Sequence, residues 1–430
     1  MHIDAHGLPL TIASAEAARA WDHAMAGYVG YRADAADRIK AVLVLDPGFT
    51  LAHVLRGCFA VMSFSAANLG HARDCLAKAE AAARAATPRE QAHVAALARW
   101  AGGDVPGALG AWEAILRDHP ADTLAFRMHH FAAFWIGDAR RMAETAEAIA
   151  PAWTADMPHY ASLLACRAFA REESGDPRGA EALGREAVAR DPADMWAAHA
   201  VAHCLEMQGR GDDGIAYLKA LTPNWDGGNN LKHHLFWHQA LFHLDRGDTD
   251  QVLQLYDHGF RDLGSPLTQA MPDLYIDVQN AAAMLFRLKL CGVDAGARWT
   301  ELADHAEARI GDVQSAFTLP HWTLALVNTG RFDAARRQVA AIDAAADGSH
   351  HGSILRHAAL PACQAVLHHA QGDHEAALAA LAPAAPHLPR LGGSHAQQAL
   401  FTLLADDAAA KAGTPPLALP SRGAYRAARA

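Results

Sequence analysis

The sequence predicts an all-α fold, a solenoid of stacked antiparallel helix pairs wound as an α/α superhelix, and three observations carry that prediction. The first is a glycine-based turn that recurs as Gly70-His71, Gly103-Asp104, Gly137-Asp138, Gly175-Asp176, Gly209-Arg210, Gly247-Asp248, Gly330-Arg331 and Gly372-Asp373. Successive glycines lie 33, 34, 38, 34, 38, 83 and 42 residues apart, and Gly292 divides the wide gap into 45 and 38. Self-similarity at such a period marks a helical-hairpin array. The second observation is that an amphipathic run precedes each turn and an Ala-rich run follows it. The third is composition: 430 residues with 51% hydrophobic and 20% charged side chains can bury a large core. A repeat architecture allows a chain of this length to be one domain.

The chemistry of each element follows from the turn. Glycine adopts the left-handed conformation that ends one helix, and the Asp after it caps the next through its side-chain oxygen. In the helices that follow, such as Ala180-Glu181-Ala182-Leu183 and Ala334-Ala335-Arg336-Arg337, alanines allow close helix packing. Asp118-His119-Pro120-Ala121-Asp122 and Arg190-Asp191-Pro192-Ala193-Asp194 close second helices, because the residue before proline is disfavoured from helical geometry. Residues 1–30 read as an N-terminal capping segment, 31–412 as the solenoid and 413–430 as a C-terminal tail. After Gly247 the spacing loosens, and helix boundaries there do not follow from the pattern. The stretch Asn224–Asn230 interrupts the helices and reads as a surface loop or, beside a site, as a lid or rim.

Composition also excludes function classes. A net charge of -10 with no basic stripe argues against nucleic acid as partner. No apolar run reaches the roughly 20 residues needed to span a bilayer, and the opening Met1-His2-Ile3-Asp4 is unlike a secretory leader, so the expected setting is the cytoplasm, away from membranes. The cysteines at 58, 75, 166, 204, 291 and 363 are scattered and read as small buried apolar residues. Gly102-Gly103, Gly227-Gly228 and Gly392-Gly393 are loop glycines without a phosphate-binding motif, and no Gly-x-Ser-x-Gly elbow occurs.

The main compositional anomaly is 27 histidines. His130 lies 7 positions before Gly137, His199 and His203 lie 10 and 6 before Gly209, and His238 and His321 each lie 9 before their turn glycines. Those offsets differ by one helical turn, so the imidazoles share a stripe on the first helix of each pair, the helix expected to line a concave lumen. Trp196, Trp237 and Trp322 flank the stripe, and Arg56, Arg127 and Arg167 fall near it. Aromatic walls with a few convergent polar groups describe a small-molecule pocket.

His199 and His203 form an i,i+4 pair with the spacing of two helix-borne metal ligands, and Glu206 lies near the same face. A divalent metal on His199, His203 and Glu206 is one reading. Acid–base catalysis by His199, His203 and His238, oriented by Glu172, Glu173, Asp273 or Asp277, is a second. A third is that the pair is packed and satisfied within the fold, while the doublets His233-His234, His350-His351 and His368-His369 are solvated.

The turn pattern resembles the tetratricopeptide repeat superfamily over about residues 30–410. More narrowly, the run from Trp196 to Arg210 and the run from Trp237 to Leu244 resemble the tetratricopeptide repeat protein 38 family, a name that describes architecture and not a reaction. The resemblance implies a binding module holding a small molecule or short peptide, with homo-oligomer formation left open. The alternative is an enzyme using the lumen histidines on a small-molecule substrate.

Overall fold

The computed structural model describes residues 2–419; residues 420–430 of the expected tail lie outside the described residues. The chain is all-α, and the strands among the described residues are the short antiparallel pair His2–Ile3 and Pro9–Leu10. Consecutive helices form antiparallel hairpins. By contacts the chain divides into two compact units. Unit 1 takes the described residues up to Phe134 together with Asp138–Cys204 and Leu218–Lys232; unit 2 takes Trp135–Gly137, Leu205–Tyr217 and the residues from His233 onward.

Unit 1 begins with a full helix, Ala15–Val29, inside the stretch read as a cap, and Ser14 starts it by accepting from the Ala17 N–H. Hairpins follow, among them Thr50–Met62 with Leu69–Ala83, Pro88–Ala101 with Val105–Asp118, and Tyr160–Glu173 with Pro177–Arg190. The turn chemistry is as expected at Asp104, Asp138, Asp176 and Asp373, whose side chains accept from the N–H of Gly107, Arg141, Gly179 and Ala376. Gly103, Gly137, Gly175, Gly209, Gly247, Gly292, Gly330 and Gly372 all have positive φ. At Gly137 a Cβ would also fall 1.9 Å from the Pro389 carbonyl oxygen, so glycine is required there for space as well.

Gly70 is a correction: it lies in the first turn of the Leu69–Ala83 helix, and the left-handed residue of that hairpin is Phe64, with φ of 48°. A small residue at the expected spacing mimicked a turn that a bulky one makes. The helices do end before Pro120 and Pro192, at Asp118 and Arg190. The acid beyond each proline then caps the next helix: Asp122 accepts from Ala125, and Asp194 from Trp196 and Ala197.

In unit 2 the loosened spacing after Gly247 goes with added short helices, Pro266–Ala270 before Gly292 and His350–Ile354 before Gly372, and with π-turns at Tyr256–Phe260 and Leu355–Ala359. First helices here are buried all round: every residue of 277–288 and of 318–327 is buried, and in unit 1 the same holds for 195–204. A helix covered on every side must satisfy any polar side chain within the protein.

Candidate functional site

The unit 1 residues of three first helices, Thr123–Trp135, Tyr160–Glu173 and Met195–Met207, carry the site. Asp122 fixes the start of the first helix and is itself held by Arg89 at 2.6 Å and His93 at 3.0 Å. One turn along, Arg127 is 3% exposed. Its Nη2 donates to the Tyr31 hydroxyl at 2.6 Å, and its Nη1 donates to Cys166 Sγ at 2.7 Å and Ser162 Oγ at 3.4 Å. The guanidinium also lies 5.1 Å from the centre of the Tyr31 ring. No carboxylate among the described residues forms an ion pair with Arg127. A buried cation held only by neutral groups has lost its hydration without gaining a counter-ion.

His130 lies three residues after Arg127, about one helical turn on, and is as deeply buried. Neither of its ring nitrogens has a hydrogen-bond partner, and the same holds for Trp196 Nε1. The His130 ring sits among Trp196 at 5.8 Å, Phe169 at 6.0 Å and Phe126 at 6.1 Å. Burial, reinforced by the Arg127 charge, holds the imidazole well below its ordinary range, so it is neutral at pH 7. Trp196 in turn stacks on Tyr31 at 5.8 Å and touches His199 at 4.7 Å. Buried nitrogens are seldom left without partners, and a cluster of them beside an uncompensated cation is what a binding site leaves for its ligand.

His199 and His203 meet as the four-residue spacing predicts, with Nε2 to Nε2 at 2.9 Å and the rings edge to face. The other nitrogen of His203 faces Glu172 at 3.6 Å and Glu173 at 3.9 Å. Phe169 contacts both imidazoles as well as His130 and Trp196, and so joins the two halves of the cluster.

The other candidates have the following partners. In unit 2, His238 Nδ1 is 3.0 Å from Glu206, so the carboxylate expected beside His199 and His203 is engaged by a different histidine. Burial pushes Glu206 up to about 7 and His238 down to about 3. Trp237 is stacked by His234 at 5.1 Å and lies under Arg287 at 5.6 Å. His321 is 2.8 Å from the Phe317 carbonyl, and burial takes it down to about 4. Trp322 is buried. In unit 1, Arg167 is taken up by Glu147 at 2.7 Å, and Arg56 lies close enough to Cys75 to oppose the rise that burial gives its thiol. Asp273 pairs with Arg309, and Asp277 with His233.

The doublets are corrections too. His233 and His234 are buried, on Asp277 at 3.1 Å and Asn280 at 2.7 Å, because the first helix of that hairpin is covered on all sides. His351 is half-buried against the Val313 carbonyl and His369 against Asp407.

Sequence reasoning missed Tyr31, Ser162, Cys166 and Phe169 as site residues. Tyr31 has a left-handed φ of 52° and is held by the Asn224–Asn230 loop: the Asn229 N–H donates to its carbonyl at 2.7 Å, and Arg32 donates to the Asp226 carbonyl at 2.7 Å. Trp225 and Asn230 are buried, so the loop is fastened at both ends and serves to hold Tyr31 in place. An aromatic residue directly after Gly30 was the available signal.

No family model matches the chain. Among solved structures it is similar to the crystal structure of the P58(IPK) TPR domain, at 13% identity over 82% of this chain and 89% of that one, with a TM-score of 0.21.

Proposed function

We propose that the protein binds a small aromatic anion in unit 1, at Tyr31, Arg127, His130 and Trp196. The observation that supports this reading is Arg127, buried without a carboxylate partner next to His130, whose two nitrogens are unpartnered. A ligand carboxylate would supply the missing counter-charge, His130 would offer one donor and one acceptor, and the Tyr31, Phe169 and Trp196 rings, now in contact, would part to admit a flat apolar body. The resemblance to the tetratricopeptide repeat protein 38 family rests on the runs from Trp196 and from Trp237 and bears on architecture alone.

The test is calorimetry and thermal shift with benzoate, salicylate and indole-3-carboxylate. At least one should raise the melting temperature of the wild type, and Arg127→Met should abolish the shift. A panel without effect, or a shift that persists in Arg127→Met, overturns the proposal.

A second reading, acid–base catalysis on the bound molecule, is favoured by His203 standing between His199 and the carboxylates of Glu172 and Glu173. An imidazole oriented by a carboxylate is the usual arrangement for moving a proton near neutral pH. His238, the third member of the expected catalytic set, belongs to unit 2.

A further inference from the structure

The N-terminal turn of unit 1 builds a second polar feature from a different set of residues. Between the strands His2–Ile3 and Pro9–Leu10 the chain is shaped by Asp4, whose Oδ1 accepts from the N–H groups of His6 and Leu8, each at 2.9 Å. The Ala5 N–H donates to Asp22 Oδ1 at 3.0 Å, which ties the turn to the Ala15–Val29 helix. Asp4 and Asp22 thereby share the wall of one half-open cleft, and Arg89 lies on that wall too. All three belong to unit 1.

Each of the two carboxylates spends one oxygen on backbone N–H groups, and neither forms an ion pair among the described residues. Burial raises both above their ordinary value, and the charge of Asp4 raises Asp22 further. Two like charges confined to one wall favour a positive group between them.

Arg89 supplies the second, independent observation. It is 6% exposed, and its guanidinium donates from Nη1 to Asp122 at 2.6 Å and from Nη2 to the Pro9 carbonyl at 3.0 Å. Its Nε is buried without a hydrogen-bond partner. A guanidinium has donors and no acceptor, so the group missing there is an acceptor. His6, on the same wall, has Nε2 at 3.0 Å from Thr123 Oγ1 and a buried Nδ1 without a partner. An imidazole nitrogen can serve either a donor or an acceptor.

Size narrows the ligand. The cleft has a volume of about 20 Å³, where a single water needs roughly 10–15 Å³. A cleft this small meets a cation and an acceptor together only in a compact molecule that carries both on one carbon. Buried Met25 and Leu51 line the rest of it and suit a hydrogen or methyl substituent. We infer that the cleft is a site for a small free α-amino acid, glycine or alanine, with its ammonium on Asp4 and Asp22 and its carboxylate on Arg89 Nε.

This inference does not rest on the aromatic-anion reading, and Arg127→Met keeps the two apart. Glycine and L-alanine are titrated separately into the wild type by calorimetry, with thermal shift alongside and with acetate and methylammonium as the two halves of the ligand. At least one amino acid should bind as one equivalent and raise the melting temperature, and each half should bind at least about tenfold more weakly. Asp4→Asn and Asp22→Asn keep an oxygen for the backbone N–H groups and remove the charge, so both should fold and each should weaken binding at least about tenfold. Arg89→Lys keeps a cation for Asp122 without a donor at Nε, and should weaken binding by a similar factor; where circular dichroism shows it unfolded, the two Asn variants decide. Arg127→Met should leave the amino-acid affinity as it is. No binding of either amino acid, affinity unchanged in Asp4→Asn and Asp22→Asn, or acetate or methylammonium binding as tightly as glycine overturns the inference. So does binding that is lost in Arg127→Met and kept in Asp22→Asn, since the carboxylate would then sit in the anion site.

Discussion

Arg127 is held in the interior by a phenol, a hydroxyl and a thiol, none of which neutralises it. The Cys166 thiol is pushed up to about 11 by burial against the opposing pull of Arg127, so it remains neutral. Asp194, whose charge acts on Arg127, is itself raised to about 6 by burial and is occupied in capping the Trp196 helix. A buried charge without a counter-ion carries a desolvation cost that an apolar side chain of similar length does not. Arg127→Met should therefore melt at or above the wild-type temperature while losing the ligand response; a melting temperature several degrees lower would make the guanidinium a structural group. Tyr31→Phe works the opposite way, because it leaves the charge and removes its shortest hydrogen bond, and should cost about 1–3 kcal/mol in denaturant unfolding. The helix-borne histidines were legible from sequence because i,i+4 spacing alone brings His199 to His203. Tyr31 was not, since it meets Arg127 across 96 residues of chain and no local pattern encodes that contact.

At the scale of the element, the turn glycines separate into two kinds that sequence spacing treats alike. Gly175 and Gly372 have φ of 93° and 81° with no atom near a Cβ added there, so an alanine meets only backbone strain. Gly70 is helical and equally open. Gly175→Ala should cost about 1 kcal/mol, whereas Gly70→Ala should be neutral or stabilise by up to about 1 kcal/mol. Equal effects in chemical denaturation would mean that Gly70 is a turn after all. Caps differ in the same way: Asp176 accepts from the Gly179 N–H, while Asp248 makes no cap bond and instead serves His243 and Arg246. The hairpins were readable because glycine, aspartate and proline each act through local backbone geometry. The π-turns at Tyr256–Phe260 and Leu355–Ala359 were not, because one additional residue per turn shifts the register without changing which residue types appear.

Across the whole molecule, the histidines set the response to acid. His130 and His234 lie well below the ordinary imidazole range, His321 is at about 4 and His238 at about 3, each chiefly through burial. A histidine whose folded value is depressed binds its proton more readily when unfolded, so stability is full above about 6.5 and falls as the pH drops toward the folded value. Each such group removes up to about 1.4 kcal/mol per pH unit over that window. Asp194 at about 6 and Glu206 at about 7 act in the opposite sense, since their folded forms hold protons more tightly and their contribution is lost as pH rises through those values. Four deeply depressed imidazoles outweigh two raised carboxylates below pH 6. The melting temperature should thus be highest near neutrality and decline steadily from pH 6 to pH 4, before paired acids such as Glu113, held at about 2 by His129 and Arg141, begin to protonate. Calorimetric scans at half-unit intervals measure this directly. A flat profile from pH 7 to pH 4 would mean that these imidazoles find water or carry their protons in the folded protein. In that event His130 could not be the neutral partner that the anion site requires, and the chemical and stability arguments would fail together.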